Sequence, residues 1–299
     1  MVDFITPMKA KRLYLDYLEE VSDDTRWAAG LKHDGYREQL HLLNTGNTLS
    51  SAEGNDHLKG VPQFTKVIPE LHDTIFDCEG LAPTRRLEDN GTCFKTSAYP
   101  EFAIAWQKEY GLAFLEVFDI LKYKGLYTLD LPFYKRRVLL ENAFAILTKS
   151  GMPVHLEQLV MTGKLAYFHQ VINRPKEQGH EGIMLKDMQA PYKPGARGPA
   201  WKKIKRFETL ICKITGFLDS ASTDKYEGQI GSVVYVYKGC VGSSSGLNDD
   251  LRLDMTKHPE KYVNRLAWFQ CQEVTDAGVM RSPSYKGLLT DQEVKQYGA

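Results

Sequence analysis

A lysine presented at the end of an apolar run, and followed at once by an acid, a glycine and an arginine, constrains this chain more than any other feature. Lys32-His33-Asp34-Gly35-Tyr36-Arg37 comes directly after Trp27-Ala28-Ala29-Gly30-Leu31, a stretch that reads as a half-buried strand. The glycine after the lysine lets a ligand approach the backbone closely. A lysine of ordinary pKa, about 10.4, is a poor nucleophile at neutral pH. It becomes a good one when neighbouring cations or desolvation make its protonated form costly. By itself the tetrapeptide fits a plain strand-to-turn junction equally well. The rest of the chain has to decide.

At 299 residues the chain is long for one domain and comfortable for two. An apolar fraction of 42% supports real cores, and a charged fraction of 25% is ordinary for a soluble globular protein. No apolar run approaches the roughly 18–20 residues of a membrane span. Met1-Val2-Asp3-Phe4-Ile5-Thr6-Pro7 lacks the basic-then-apolar design of a signal peptide. The five cysteines, Cys78, Cys93, Cys212, Cys240 and Cys271, are scattered and form no C-x-x-C pair. A disulfide framework and a structural zinc are therefore not expected, and a reduced cytoplasmic setting is.

Formal net charge is zero, but the distribution is uneven. Lys186, Lys193, Arg197, Lys202, Lys203, Lys205 and Arg206 lie within one short stretch, opposed there by Asp187 alone. A basic face on a neutral protein is enough to bind a phosphate backbone, with steep salt dependence. A solvated lysine-rich strand pair is the plainer alternative.

Alternating apolar runs predict strands at Trp27–Lys32, Glu38–Leu43, Thr74–Leu81, Phe114–Ile120, Val154–Val160, Gly182–Lys186 and Trp201–Lys205. A helix is predicted over Phe133–Leu147, opened by Leu131-Pro132, with Val138, Leu139, Ala143, Ile146 and Leu147 on its apolar stripe. A second is expected over about Gly163–Ile172. After Arg206 short strands at Thr209–Phe217, Ile230–Tyr237 and Ala267–Glu273, separated by glycine and serine turns, suggest a small barrel or sandwich. The expected division is 1–206 and 207–299. No internal repeat is visible.

Four further segments carry possible chemistry. In Thr74–Gly80 the acids Asp77 and Glu79 alternate on one strand face, where one could hold a ribose hydroxyl or a metal-bound water, or both could be solvated. Phe118, in the apolar run Ala113–Leu121, is either core or a stacking platform for a purine. Glu181 and Lys186 bracket a short apolar strand. They either mark where it leaves the core, or place a carboxylate on a divalent cation and an ammonium on a phosphate. Finally Trp201, Lys203 and Lys205 share one strand face, opposite Lys202 and Ile204. Two inward cations are expensive without a polyanion, and would depress the pKa of a third lysine nearby.

The ordered set KHDGYR, FDCEG, EVFDIL, EGIMLK and WKKIK resembles the nucleotidyltransferase motifs of ATP-dependent DNA ligases, members of the covalent nucleotidyltransferase superfamily. The stretch from Phe118-Asp119-Ile120-Leu121 through Leu131-Pro132-Phe133-Tyr134-Lys135-Arg136-Arg137 is similar to a connecting segment of DNA ligases more than of capping enzymes or RNA ligases. The resemblance implies an α+β fold: an ATP-grasp-like adenylation domain of antiparallel sheets and flanking helices, followed by a small all-β OB-fold barrel. It implies that Lys32 attacks the α-phosphate of ATP to form lysyl-AMP. Arg37 and Glu79 would contact the ribose and nearby groups, and Phe118 would stack on adenine. Glu181 would place a Mg²⁺ or Mn²⁺ ion, and Lys186, Lys203 and Lys205 would hold phosphates. Arg281, in Arg281-Ser282-Pro283-Ser284-Tyr285-Lys286, would orient pyrophosphate.

The partner implied is nicked double-stranded DNA, sealed between 5′-phosphate and 3′-hydroxyl in replication, repair or recombination, by a monomer without membrane attachment. With about thirty residues before Lys32, a minimal ligase of phage or bacterial type is expected. An RNA ligase, a GTP-using capping enzyme and a non-catalytic nucleic-acid-binding relative are the competing readings. The chain departs from the family pattern at Cys78, where glycine is usual, and at Leu43–Thr48, which lacks an arginine. It departs again at Gly287-Leu288-Leu289, where further basic residues are common.

Overall fold

The strand that presents the lysine, β2 (Trp27–His33), buries Trp27, Ala28 and Ala29, leaves Leu31 and Lys32 partly exposed and ends on the buried His33. It lies between β10 (His180–Asp187) and a short β9 (Val160–Met161). Beyond β10 come β11 (Arg197–Lys205) and β1 (Lys9–Arg12), in the order β1-β11-β10-β2-β9. The pairing is antiparallel except for β1, which runs parallel to β11. In this computed structural model residues 3–13, 26–95, 99–161, 180–205, 207–222, 224–275 and 277–297 are described. They fall into two compact units, Met1–Lys205 and Arg206–Ala299. The helix expected near Gly163–Ile172 lies outside the described residues.

Right after β2 the chain turns at Asp34-Gly35 into a second sheet. It contains β3 (Tyr36–Leu42), β4 (Thr48–Ser51), β5 (Thr74–Leu81), β6 (Phe114–Tyr123) and β7 (Leu126–Tyr127). Their order is β4-β3-β5-β6-β7, with β8 (Val154–Leu156) added parallel to β6. Helices α1 (Leu87–Phe94), α2 (Pro100–Tyr110) and α3 (Phe133–Lys149) belong to the same unit. The largest core packs Phe64, Phe76 and Phe94 with leucines of β3, β4 and β6 and with Leu140 and Leu147 of α3. Each such buried side chain contributes roughly 1.5–3 kcal/mol by removal from water.

Two expectations need correction. The strand predicted over Val154–Val160 is two strands: β8 pairs with β6 of the second sheet, and β9 pairs with β2 of the first. The chain crosses between sheets at Glu157-Gln158-Leu159, which apolar alternation does not reveal. The stripe predicted on α3 is also rotated. Val138 is exposed, and the inward face is Phe133, Arg136, Leu140, Ala143 and Leu147. A buried carboxylate, Asp119 on β6, pulls Arg136 inward with bonds of 2.8 and 2.9 Å.

The second unit is built on an antiparallel sheet, β14-β13-β12-β15-β18. Its strands are β12 (Glu208–Asp219), β13 (Ile230–Tyr237), β14 (Cys240–Ser244), β15 (Leu266–Cys271) and β18 (Ser284–Leu288). A small pair, β16 (Glu273–Val274) and β17 (Met280–Arg281), lies beside it in sequence. Between β14 and β15 lies a helix, α4 (Asp249–Lys257). It starts where the Asn248 side chain accepts the Leu251 N–H at 2.8 Å. A last helix, α5, covers Asp291–Tyr297. The core is Val233, Tyr235, Phe269 and their neighbours. Five antiparallel strands with a helix before the fourth match the OB arrangement.

Candidate active site

The site lies where side chains of both sheets of the first unit meet. A cavity of about 310 Å³ is lined by Lys32, Arg37, Glu79, Phe118, Met184, Lys186, Trp201 and Lys203, with Glu116 and Glu157 among the further walls. Lys32 comes from the end of β2, Arg37 from β3, Glu79 from β5 and Phe118 from β6. Lys186 is on β10, and Trp201 and Lys203 are on β11.

Two glycines make this convergence possible. A Cβ on Gly35 would lie 2.5 Å from the Gly80 carbonyl oxygen, so the close approach that needs this glycine is to the neighbouring strand. The Gly35 N–H donates to Glu79 Oε1 at 3.1 Å, which ties the lysine turn to β5. Gly182 has φ 152°, and a Cβ there would lie 1.9 Å from the Ile204 carbonyl oxygen. The register of β10 on β2 slips between His180 and Gly182, and such a bulge re-aims its side chains. Glu181 is held there between Lys32 and Lys205, in ion pairs with both.

The electrostatics depart from the expectation of a depressed lysine. Burial works against the Lys32 ammonium, but Glu181, Glu79 and Asp34 outweigh it and hold its pKa above the ordinary value. Glu181 is partly desolvated too, yet its two lysines keep its carboxyl below the usual range. Of the lysines around Glu181, Lys203 is the one whose pKa is depressed, through burial and repulsion from Lys205 and Lys32. Lys32 is therefore charged as the site stands.

Asp77 is fully buried and is not a solvated acid. It takes Arg37 Nε at 2.6 Å and the Tyr192 hydroxyl at 2.9 Å. Glu79 faces the cavity, and burial raises its pKa. Cys78 between them points into the core, so a side chain is tolerated where the family pattern has glycine. Phe118 is core and cavity wall at once, packed edge-on to Trp201 with ring centroids 6.0 Å apart. The alternation expected of β11 is present: Lys203 lines the cavity, while Lys202 Nζ lies 4.5 Å from the Trp27 ring centroid on the other face.

Lys186 stands apart from the other lysines. It pairs in register with Ala28, whereas Gly182 pairs with Lys32. The ammonium is buried, ion-paired to Glu157, and 4.6 Å from the Phe118 ring centroid. Burial pushes Lys186 down and Glu157 up. Glu157 escaped the sequence reading because it lies in the crossing segment after β8, which alternation reads as strand. Glu116, also missed, is 3.9 Å from His33 Nε2, and burial raises its pKa. Its signal was a lone acid inside the apolar strand β6. Arg281 belongs to the second unit, where it bonds Glu273 at 3.1 Å.

A strand-borne lysine, an aromatic wall and a ring of cations between two sheets, followed by an OB-type unit, define a nucleotidyltransferase fold. The sequence model of the ATP dependent DNA ligase domain matches residues 7–205, and the chain belongs to that family. The DNA ligase of Methanosphaera stadtmanae is 27% identical over 278 residues, covering 87% of this chain and 49% of that protein. The DNA ligase of Thermococcus onnurineus is 33% identical over 249 residues, covering 76% and 42%. The chain thus spans about half the length of such curated relatives. Among solved structures, a Lig E DNA ligase superposes with TM-score 0.69 at 18% identity, covering 97% of this chain and all of that one. The bacteriophage T7 ATP-dependent DNA ligase in complex with ATP gives TM-score 0.55 at 15% identity, covering 95% and 98%. These two likenesses concern the fold.

Proposed function

We propose that the chain is an ATP-dependent DNA ligase that seals 5′-phosphate/3′-hydroxyl nicks in duplex DNA through lysyl-AMP and a DNA-adenylate. The observation that carries this reading is Lys32 at the edge of a cavity that also contains an aromatic wall, Arg37 and Lys203. In the first step the Lys32 Nζ lone pair attacks the α-phosphorus of ATP; the N–P bond forms as the bond to pyrophosphate breaks. A 5′-phosphate oxygen at the nick then takes AMP from the lysine. The 3′-hydroxyl oxygen attacks that 5′-phosphorus, and AMP leaves.

These are phosphoryl-type transfers, in which positioning and charge stabilisation do most of the catalysis. Lys203 of the cavity wall and Lys205, paired to Glu181, are the proposed cations that meet developing negative charge. Arg37, locked by Asp77, and Glu79, locked by Gly35, are rigid candidates for the ribose. Lys32 must lose a proton before it attacks, and the Glu181 carboxylate beside it is what opposes that loss. Arg281 remains proposed as the pyrophosphate contact of the second unit.

Among the described residues no group of three or more His, Cys, Asp or Glu side chains could hold a metal ion. A single carboxylate such as Glu181 suits Mg²⁺ or Mn²⁺ arriving with the nucleotide, since Mg²⁺ binds through one or two carboxylates together with substrate phosphates. Glu181 would be the protein ligand; when bound, the ion supplies positive charge at the phosphates. Five free thiols fit a reduced, cytoplasmic setting, and among the described residues no helix is long and apolar enough to cross a membrane. A monomer acting in replication or repair completes the reading.

The test is incubation with α-labelled ATP and Mg²⁺, followed by sealing of a 5′-phosphorylated nick in all-DNA duplex. Label on the protein and joined strand, both below detection in Lys32→Ala, are expected. Adduct from GTP alone would indicate a capping enzyme, and sealing confined to RNA ends an RNA ligase. Full activity in Lys32→Ala would sink the assignment.

A further inference from the structure

We propose that Glu157, held against Lys186 at the wall of the cavity beside Phe118, reads the base edge of the nucleotide and selects a 6-aminopurine. The inference rests on the adenylyl-transfer reading above and adds the residue that chooses the base.

Three observations converge on Glu157. Its carboxylate is buried, lines the cavity, and takes Lys186 Nζ at 2.5 Å. Its backbone is fixed at both ends of the peptide: the N–H donates to the Val117 carbonyl at 3.0 Å, and its carbonyl accepts from Arg137 Nη1 at 2.9 Å. Finally, β2 leaves room for it. A Cβ on Gly30 would lie 2.5 Å from Glu157 Oε1, so glycine two residues before Lys32 is what admits the carboxylate.

The pair lies at the aromatic end of the cavity. Lys186 Nζ is 4.6 Å from the Phe118 ring centroid and 5.1 Å from that of Trp201, while Lys32 pairs four residues away along β10. A base on Phe118 therefore meets a carboxylate and an ammonium side by side. Adenine offers the matching edge: its 6-amino group donates to a carboxylate, and its N1 accepts from an ammonium. Guanine reverses both, setting O6 against the carboxylate and N1–H against the ammonium. Such reversal discriminates strongly, because buried polar groups are left opposed or unpaired. This assigns Lys186 to the base, in place of the phosphate role expected of it from sequence.

The test compares binding of the α,β-methylene triphosphates of adenosine and of purine riboside, which lacks only the 6-amino group. Neither can transfer its nucleotide. The unmutated protein should bind the adenosine analogue about 10- to 100-fold more tightly, the range for a hydrogen bond to a charged partner. In Glu157→Gln that ratio should fall severalfold, and discrimination against the guanosine analogue should fall with it. Should Glu157→Gln fail to fold, Gly30→Ala, whose methyl displaces the carboxylate, should collapse the ratio in the same way. Equal binding of the two analogues by the unmutated protein would overturn the proposal, as would a ratio unchanged in the variant. If the ratio holds but ATP never labels Lys32, the base reading stands and the transfer reading fails.

Discussion

The two units of this protein treat charge in opposite ways. In the first, ion pairs are sunk into the fold: Arg136 with Asp119, both fully buried, Arg37 with Asp77, and Lys186 with Glu157. In the second, Lys225 with Asp249 and Lys261 with Asp254 lie at the surface, over a core of Tyr235, Phe269 and Val233. Its buried cation, Arg252, is accommodated by the Ile230 carbonyl and the Tyr226 ring. Burying charge costs more than attraction returns unless the geometry is good. The first unit accepts that cost around a cavity where fixed charges can act on a ligand without reorganising.

The largest test of this contrast is Arg136→Met. It leaves Asp119 charged and unpaired in the core, and should destabilise the protein by about 3–5 kcal/mol, read as a shift in the denaturant midpoint. Adding Asp119→Leu should recover much of that loss. If Arg136→Met alone is neutral, the pair is not the buried determinant described.

A smaller effect concerns His33. Burial, Arg85 and His180 hold its ring near a pKa of about 3, well below the ordinary histidine value of about 6.5. The unfolded chain therefore binds a proton below pH 6.5 that the folded one refuses. Stability from this group is complete above pH 6.5 and drains away as pH falls toward 3. Between pH 6.5 and 5 the loss should be about 2 kcal/mol. His33→Gln should flatten that part of the stability profile; an unchanged slope would mean the ring charges freely in the fold.

Lys203 should affect function without affecting the fold. Replacing it by Met removes a cation that burial and two neighbouring lysines already disfavour. Thermal stability should hold or rise slightly, while labelling by ATP should slow by about 10²-fold, the scale of a lost charge-stabilising contact. A drop in stability matching the drop in labelling would make its role structural. Smallest of all, Lys225→Ala should leave the melting temperature unchanged, because exposed pairs contribute little.

Much of the site was legible from one dimension. Thr74–Leu81 and Ile230–Tyr237 form as strands over the span predicted for each, the first buried at nearly every position and the second with Val233 and Tyr235 on its buried face. The lysine of KHDGYR, the glutamate of EGIMLK and the lysines of WKKIK lie on adjacent strands because each motif is itself a strand end or a strand face. What escaped was whatever depended on a partner from elsewhere. Val138 was expected on the inward stripe, but it is exposed and Arg136 turns inward to Asp119 instead. Glu157 read as one position in a strand until the strand proved to be two. α4 was hidden because its polar run matches a turn as well as a capped surface helix.

The chemistry is thus local and the electrostatics are not. The order of motifs, the alternation that turns Lys203 away from Lys202, and the glycines at 35 and 182 were all set by the sequence itself, since spacing and sterics act between neighbours. The charge on Lys32, the burial of Asp77 and the pairing of Lys186 with Glu157 were decided by tertiary structure alone. Charges interact through space, so each pKa follows from residues that only the packed sheets bring within a few ångströms.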